Sequence, residues 1–284
     1  MSPDQIDAGT TDGSARTPGA LFRAGHLEAS ITAANEAVRS SPNAIANRLL
    51  LAELLLFTGR FERADTVLAA AEAIDPSVGL VASEFRHLLR GEIARRQTWQ
   101  EGRVPEFIGD ASPALGLSLK ALTLLRENDQ AGAAEAAAEA EAIRPRVPGT
   151  HEATGFDDFR DANDLCASFV EVLTVTGRYF WMPTDRLEDA VFHPPKRPRD
   201  LFWRRVSMTV RDGPDGDVYM PAIYAGIVST SVSDQAPDTA EEALRLGQTT
   251  DWSGEALVTG RGQRLFLVGE EGLAAQDLGS LVFG

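Results

Sequence analysis

The side chains of this chain that could do chemistry are few, and their spacing argues against a reaction. Four histidines, His26, His87, His151 and His193, include no pair at metal-ligand separation, and the single cysteine, Cys166, rules out a thiolate zinc cage and an internal disulfide. Asp157, Asp161 and Asp164 recur at helical spacing and could in principle hold a cation. In an acidic chain with Arg160 among them, a solvated face or an arginine partner explains the pattern better. Asp212 to Asp217 (DGPDGD) opens like a calcium loop, but Ile223 stands at the twelfth position, where an acid is needed. Gly260-Arg261-Gly262 lacks the third glycine and following helix of a phosphate loop, and no serine sits in a G-x-S-x-G elbow. The residues point to a protein that is not an enzyme, with no cofactor and no metal.

The most unusual local charge is basic: Lys196, Arg197, Arg199, Arg204 and Arg205 cluster within ten residues. Two uses fit them. They could pair with the Asp157, Asp161 and Asp164 face and fix a helix to a sheet, since arginine forks suit partly buried carboxylates. They could also dock an acidic partner helix. Trp181 and Trp203 read as core, although interfaces also favour tryptophan and arginine.

The elements that must position these residues follow from periodicity. Thr154 with Asp157 three residues on forms a capping-box pattern, and Gly177 stands where a left-handed C-cap would. Phe159, Ala162, Cys166, Phe169, Val170 and Leu173 then make one apolar face, so the spacing predicts a long helix, the spine of the second half, with Cys166 as a buried thiol. Arg178 to Met182 reads as an aromatic strand ended by Pro183. Val206 to Val210 and Val218 to Tyr224 flank the DGPDGD turn as a hairpin. Val228 to Ala236 is a polar loop, Asp238 opens a short helix to Leu246, and further strands are expected at Leu257–Val258, Arg264–Val268 and Leu278–Phe283.

Before this region the chain repeats itself. Gly25 and Gly59, Ser30 and Ala64, Ala37 and Ala71, Pro42 and Pro76 are each 34 positions apart, the tetratricopeptide period. Residues 77–108 break the register and read as one long helix from Ser77 to Gln100. Asn128, Ala133, Ala137, Ala140 and Pro145 restore the pattern, and Arg144 to Gly149 closes the helical part. The expected organisation is α+β: a leader at 1–17 without fixed structure, a tetratricopeptide-like superhelix at 18–149, and a small mixed or antiparallel β domain with a long packed helix at 150–284.

A net charge of −15 is divided as −5 on residues 1–150 and −10 on 151–284. Such a field repels phosphate backbones and anionic membranes. With no run of 18 apolar residues, the expectation is a soluble, cytoplasmic protein.

The runs FDDFRDANDL, GRYFWMP, PPKRPRDLFWR, MTVRDGPDGDVYMPAIY, LRLGQTTDW and GQRLFLVG, in that order between residues 156 and 269, resemble the ImpE family, also called TagJ or SciE-type. The resemblance implies an accessory protein of bacterial type VI secretion. It implies as partner the TssB-like small subunit of the contractile sheath, bound through that subunit's N-terminal helix, with a role in sheath assembly or in recycling by the ClpV ATPase. The family positions matched are Asp157, Arg160, Asp161, Asp164, Arg199, Asp200 and Trp203, as candidate partner-binding or fold-supporting residues. The alternative is a general repeat scaffold for another client; a third possibility, a small-molecule site, would need a deep polar pocket around His193 and Arg204.

Overall fold

A computed structural model describes residues 17–225 and 239–284. Nearly all of the leader and the whole polar loop at 228–236 lie outside the described residues. Thr17 caps α1 (Pro18–Arg23) by accepting the Ala20 N–H at 3.3 Å. After it come α2 (Leu27–Ser40), α3 (Ile45–Leu56) and α4 (Phe61–Ile74). Gly25 and Gly59 occupy equivalent turns with φ of +84° and +68°, a conformation that favours glycine. Ser30 and Ala64 are both fully buried, so the small side chain that recurs every 34 residues is what lets paired helices approach. The long helix forms as α5 (Gly79–Glu101), ended by left-handed Gly102 at φ +88°. α6 (Pro113–Arg126) and α7 (Gln130–Ile143) pack as a further pair, with Ala133, Ala136, Ala137 and Ala140 on the buried side.

The second half is antiparallel sheet. Its strands are β1 (Gly149–His151), β2 (Thr154–Phe156), β3 (Phe159–Asp161), β4 (Phe169–Thr174), β5 (Tyr179–Pro183) and β6 (Leu187–Phe192). Then come a short helix α8 (Pro198–Phe202), β7 (Trp203–Val210), β8 (Asp215–Pro221) and a second short helix α9 (Thr239–Arg245). β9 (Thr250–Ser253), β10 (Thr259–Gly262), β11 (Leu265–Val268), β12 (Glu271–Ala274) and β13 (Ser280–Phe283) complete it. Eight strands form one sheet in the order β2-β1-β13-β6-β7-β8-β4-β5, with β12-β11-β3 as a second sheet and β10-β9 as a separate pair.

Two expectations are corrected here. Residues 154–177 are not a helix but β2, β3, a 3-10 turn at Asp164–Cys166 and β4. Phe169 to Leu173 is buried on both faces, so its apolar residues fill a 3.6-residue template without obeying one. Thr154 lies in β2, and Gly177, at φ +85°, makes the β4–β5 turn rather than a helix cap. The long helix packed against this sheet is α5, from the first half. Leu257 and Val258 likewise lie in the loop between β9 and β10, and Gly260 and Gly262 fall inside β10 rather than at its turn.

The alternation of β4 decides what faces what. Phe169, Glu171 and Leu173 point toward α5, alongside Tyr179 and Trp181 of β5. The apolar members of this face belong to a hydrophobic cluster shared with Leu51, Leu54 and Leu55 of α3 and Phe85 and Leu88 of α5. Val170 and Val172 point the other way, into a core with Met182, Val206, Met208, Phe159 and Phe266. The face of the repeat array lined by α3 and α5 is therefore covered by this chain's own sheet and by α8. Phe202 packs edge-on to Phe57 at 5.4 Å between centroids, and Trp203 does the same to Phe85 at 5.9 Å.

Candidate functional site

Five ionisable side chains meet where α5 crosses the sheet: Glu92 and Arg95 of α5, Asp161 of β3, Glu171 of β4 and Arg264 just before β11. None is more than 2% exposed. Glu171 is the hub. Its two oxygens accept from Arg95 Nε at 2.9 Å, Arg95 Nη2 at 3.0 Å, Trp99 Nε1 at 2.8 Å, the Tyr179 hydroxyl and Arg264 Nη2. Arg95 donates onward to Glu92 Oε1 at 3.1 Å and to the Ile223 carbonyl at 2.9 Å, and Glu92 Oε2 accepts from Trp203 Nε1 at 3.0 Å. On the other side Arg264 Nε lies 3.4 Å from Asp161 Oδ2, within ion-pair range but without hydrogen-bond geometry. Asp161 Oδ1 accepts from the Asn163 N–H and the Tyr224 hydroxyl, each at 2.8 Å.

The electrostatics follow the placement of charges: among the five buried groups three acids face two guanidiniums, and the half-exposed Arg96, 3.8 Å from Glu92, adds a third at the end away from Asp161. Burial alone would raise the Glu171 carboxyl, but Arg95 and Arg264 outweigh it and hold it well below the usual carboxylate range. Asp161 is left with less compensation. Burial pushes it up to about 6 against the pull of Arg264, the Asn163 amide and Tyr224. Burial also raises the Cys166 thiol, which keeps it unreactive.

The residues singled out by the sequence lie in two groups joined by this network. Asp161 sits at one end, and near it Arg160 binds Asp164 at 2.7 Å and Glu141 at 3.0 Å. Asp164 also accepts the Val258 N–H at 2.7 Å, tying the 3-10 turn to the β9–β10 loop. Trp203 sits at the other end. Beside it Asp200 closes the first turn of α8 by accepting the Lys196 and Arg197 N–H groups at 2.9 and 3.2 Å. Arg199 reaches Glu84 at 2.7 Å and lies over the rings of Phe85 and Tyr219. Asp157 is exposed and joins neither group.

The basic cluster does pair internally, but not with Asp157, Asp161 and Asp164. Arg197 binds Glu53, Arg199 binds Glu84, Arg205 binds Asp217 at 2.5 Å, and Arg204 donates to the Gln276 carbonyl at 3.0 Å. The reason is topological: α8 lies on α3, so Arg197 and Arg199 reach Glu53 of α3 and Glu84 of α5, while Arg205 on β7 meets Asp217 on its hairpin partner β8. His193 and Arg204 turn to different sides of the sheet, and neither lines either of the clefts described below. His193 Nε2 is 2.8 Å from Ser207 Oγ, and Ser207 stands on the strand β7 three residues beyond Arg204, on its opposite face. Ser207 itself donates to Asp217 at 2.6 Å. A serine between histidine and aspartate is the wrong order for a catalytic triad, in which the histidine takes the serine proton.

No pattern in the sequence marks Glu92, Arg95 or Arg264, and a helical reading of residues 154–177 turns Glu171 toward solvent. The signal that could have found the hub is a lone acid inside the apolar run Phe169-Val170-Glu171-Val172-Leu173. Among the described residues no group of three or more His, Cys, Asp or Glu side chains is arranged to hold a metal, and no helix is long and apolar enough to cross a membrane.

Outside the network a cleft of about 680 Å³ opens between α4 and α5, lined by Phe61, Glu62, Asp65, Arg86, His87 and Arg90 among others. A smaller one of about 440 Å³ lies between the end of α5 and the β9–β10 pair, with Trp99 and Tyr224 in its lining.

Fold and site together define a repeat scaffold whose own sheet is locked onto one of its faces by buried charge. Comparisons with known proteins agree along the chain: a tetratricopeptide-repeat family model matches residues 21–83 and the ImpE protein model residues 153–282. The type VI secretion system accessory component TagJ of Pseudomonas aeruginosa is 30% identical over 93% of this chain and 89% of its own length. The crystal structure of protein VPA1032 from Vibrio parahaemolyticus superposes with a TM-score of 0.84 at 25% identity, covering 94% of this chain and 97% of that one. The chain belongs to the ImpE family.

Proposed function

We propose that this protein is a non-enzymatic adaptor of a type VI secretion system, acting in the cytoplasm. Its partner on this reading is the TssB-like small sheath subunit, held by that subunit's N-terminal helix. Such binding would influence sheath assembly or ClpV-dependent recycling. The observation that carries the reading is the similarity to TagJ, which runs through both the repeats and the sheet half. The geometry supports it in a second way: the ionisable residues at the heart of the fold hold one another, and repeat arrays are built to present extended surfaces to partners. Asp161 and Trp203 are fully buried, and on this reading they support the scaffold. Arg160, Asp164, Arg199 and Asp200 hold the loops that shape its surface, and Asp157 stands exposed on it.

The test is co-purification of the full chain with the small sheath subunit from the same genome, intact or lacking its N-terminal helix. The intact subunit is expected to be retained and the truncated one lost. Equal recovery of both, or of neither, contradicts the proposal.

A further inference from the structure

Since the face lined by α3 and α5 is covered by the chain's own sheet and α8, a partner helix must dock elsewhere. We infer that it docks in the cleft between α4 and α5, as an amphipathic helix with a cationic flank along α4 and a carboxylate flank along α5. This assignment rests on the adaptor reading above and takes the small sheath subunit's N-terminal helix as the occupant.

Four observations carry it. The first is shape. The cleft runs from Phe61 to Glu72 on the α4 side, about 17 Å at the helical rise, which accommodates about three turns of a partner helix. Beyond Thr66 in its α4 wall, Ala69 and Ala73 follow at helical spacing, all three exposed, so the surface beside the cleft is low enough for another helix to lie close. The second is a buried apolar floor with an exposed leucine at its end. Phe61 and Leu89 are buried at the bottom, with Arg96 stacked on the Phe61 ring at 4.4 Å. Leu80 lies on the same α5 stripe as Ser83, His87 and Arg90, one turn before Ser83, and is 84% exposed. An isolated exposed leucine is unremarkable; one a helical turn before the cleft's lining on α5 extends that wall with an apolar side chain that a partner helix can cover.

The third observation is polarity. The α4 wall carries Glu62, Asp65 and Glu72, and the α5 wall carries Arg86 and Arg90. Arg86 is committed to Asp65 at 2.7 Å and reaches Glu72 at 3.9 Å, tying the two walls together. Arg90 is exposed and makes no ion pair or hydrogen bond among the described residues, and Glu62 is exposed on the opposite wall. An incoming helix that places a carboxylate over Arg90 and a lysine or arginine beside Glu62 satisfies both, and the opposite direction of insertion sets like charges against each other. The fourth is the field: a chain of net charge −15 attracts the cationic flank and speeds the encounter.

A labelled synthetic peptide of the sheath subunit's N-terminal helix, titrated into the full chain by fluorescence anisotropy, tests the assignment. Leu80→Asp and Arg90→Glu each change an exposed side chain, so both proteins are expected to keep the wild-type circular dichroism and thermal midpoint while binding about tenfold more weakly or worse. Val282→Asp, on the exposed face of β13, is expected to bind as wild type does. If the wild type binds the peptide and both cleft variants bind it equally well, the site is wrong and the adaptor reading stands. Loss of binding in Val282→Asp alone moves the dock to the open sheet face and overturns the assignment in the same way. A wild type that ignores the peptide overturns both.

Discussion

Glu171→Gln is expected to remove about 3–5 kcal/mol of folding stability, measured as a fall in the urea midpoint at unchanged slope. The substitution keeps the volume of the side chain, so no cavity contributes. What changes is the acceptor count. Five donors from Arg95, Trp99, Tyr179 and Arg264 converge on two carboxylate oxygens. Glutamine offers one oxygen, and its amide nitrogen turns two hydrogens toward groups that already point their own hydrogens inward. At least two buried donors, guanidinium N–H among them, are left facing a donor, each costing its desolvation in full. A domain of ordinary stability has about 5–15 kcal/mol in total, so the variant stands near the threshold of folding. A loss below about 1 kcal/mol would mean that water reaches the hub and that the network is not dry.

The second large effect is a pH dependence assigned to Asp161. Its folded-state pKa is raised from 3.8 to about 6, so the native protein binds this proton more tightly than the unfolded chain does. Stability from this group is therefore fully present below about pH 4 and is lost as pH rises through 6. Glu171, lowered by its arginines, works in the opposite sense and loses its contribution as pH falls through the ordinary carboxylate range. The two must be separated by a difference measurement. The unfolding free energy of wild type minus that of Asp161→Asn, which cannot ionise, is expected to increase by about 2–3 kcal/mol as pH is lowered from 7 to 4, because the folded and unfolded ionisations lie about two pH units apart and each is worth about 1.4 kcal/mol. A difference that stays flat across this window would place the Asp161 titration at its ordinary value and contradict the charge counting in the network.

Both effects arise from residues that the sequence shows only in part. The repeats are legible because they are local: a glycine turn, a small residue at the helix crossing and a proline stop recur within 34 residues, and each has its own steric cause. The β7–β8 hairpin is legible for the same reason, with turn residues between alternating strands. The stretch from Thr154 to Gly177 misleads because a strand buried on both faces satisfies any apolar period. The β-branched Val170 and Val172 around Glu171 are the better guide. The buried network is largely illegible. Arg95 and Glu171 are 76 residues apart and Glu171 and Arg264 are 93 apart. A charge on a helix looks the same in sequence whether water or a distant carboxylate solvates it. Asp161 and Trp203 are named by the family resemblance, and the fold places them at the two ends of the Glu171 network.

Repeats and sheet form one body, with α5 as its spine and Glu171 as the hub. The most direct measurement of this central claim is equilibrium urea unfolding of the full chain followed by two signals. One is the far-ultraviolet dichroism of the helices. The other is the fluorescence of the tryptophans, of which Trp99, Trp181 and Trp203 are buried where α5 meets the sheet. One transition with coincident midpoints is expected. A tryptophan signal that collapses at lower urea, while the helical dichroism persists to a second transition, would show the repeats standing on their own and would contradict the claim.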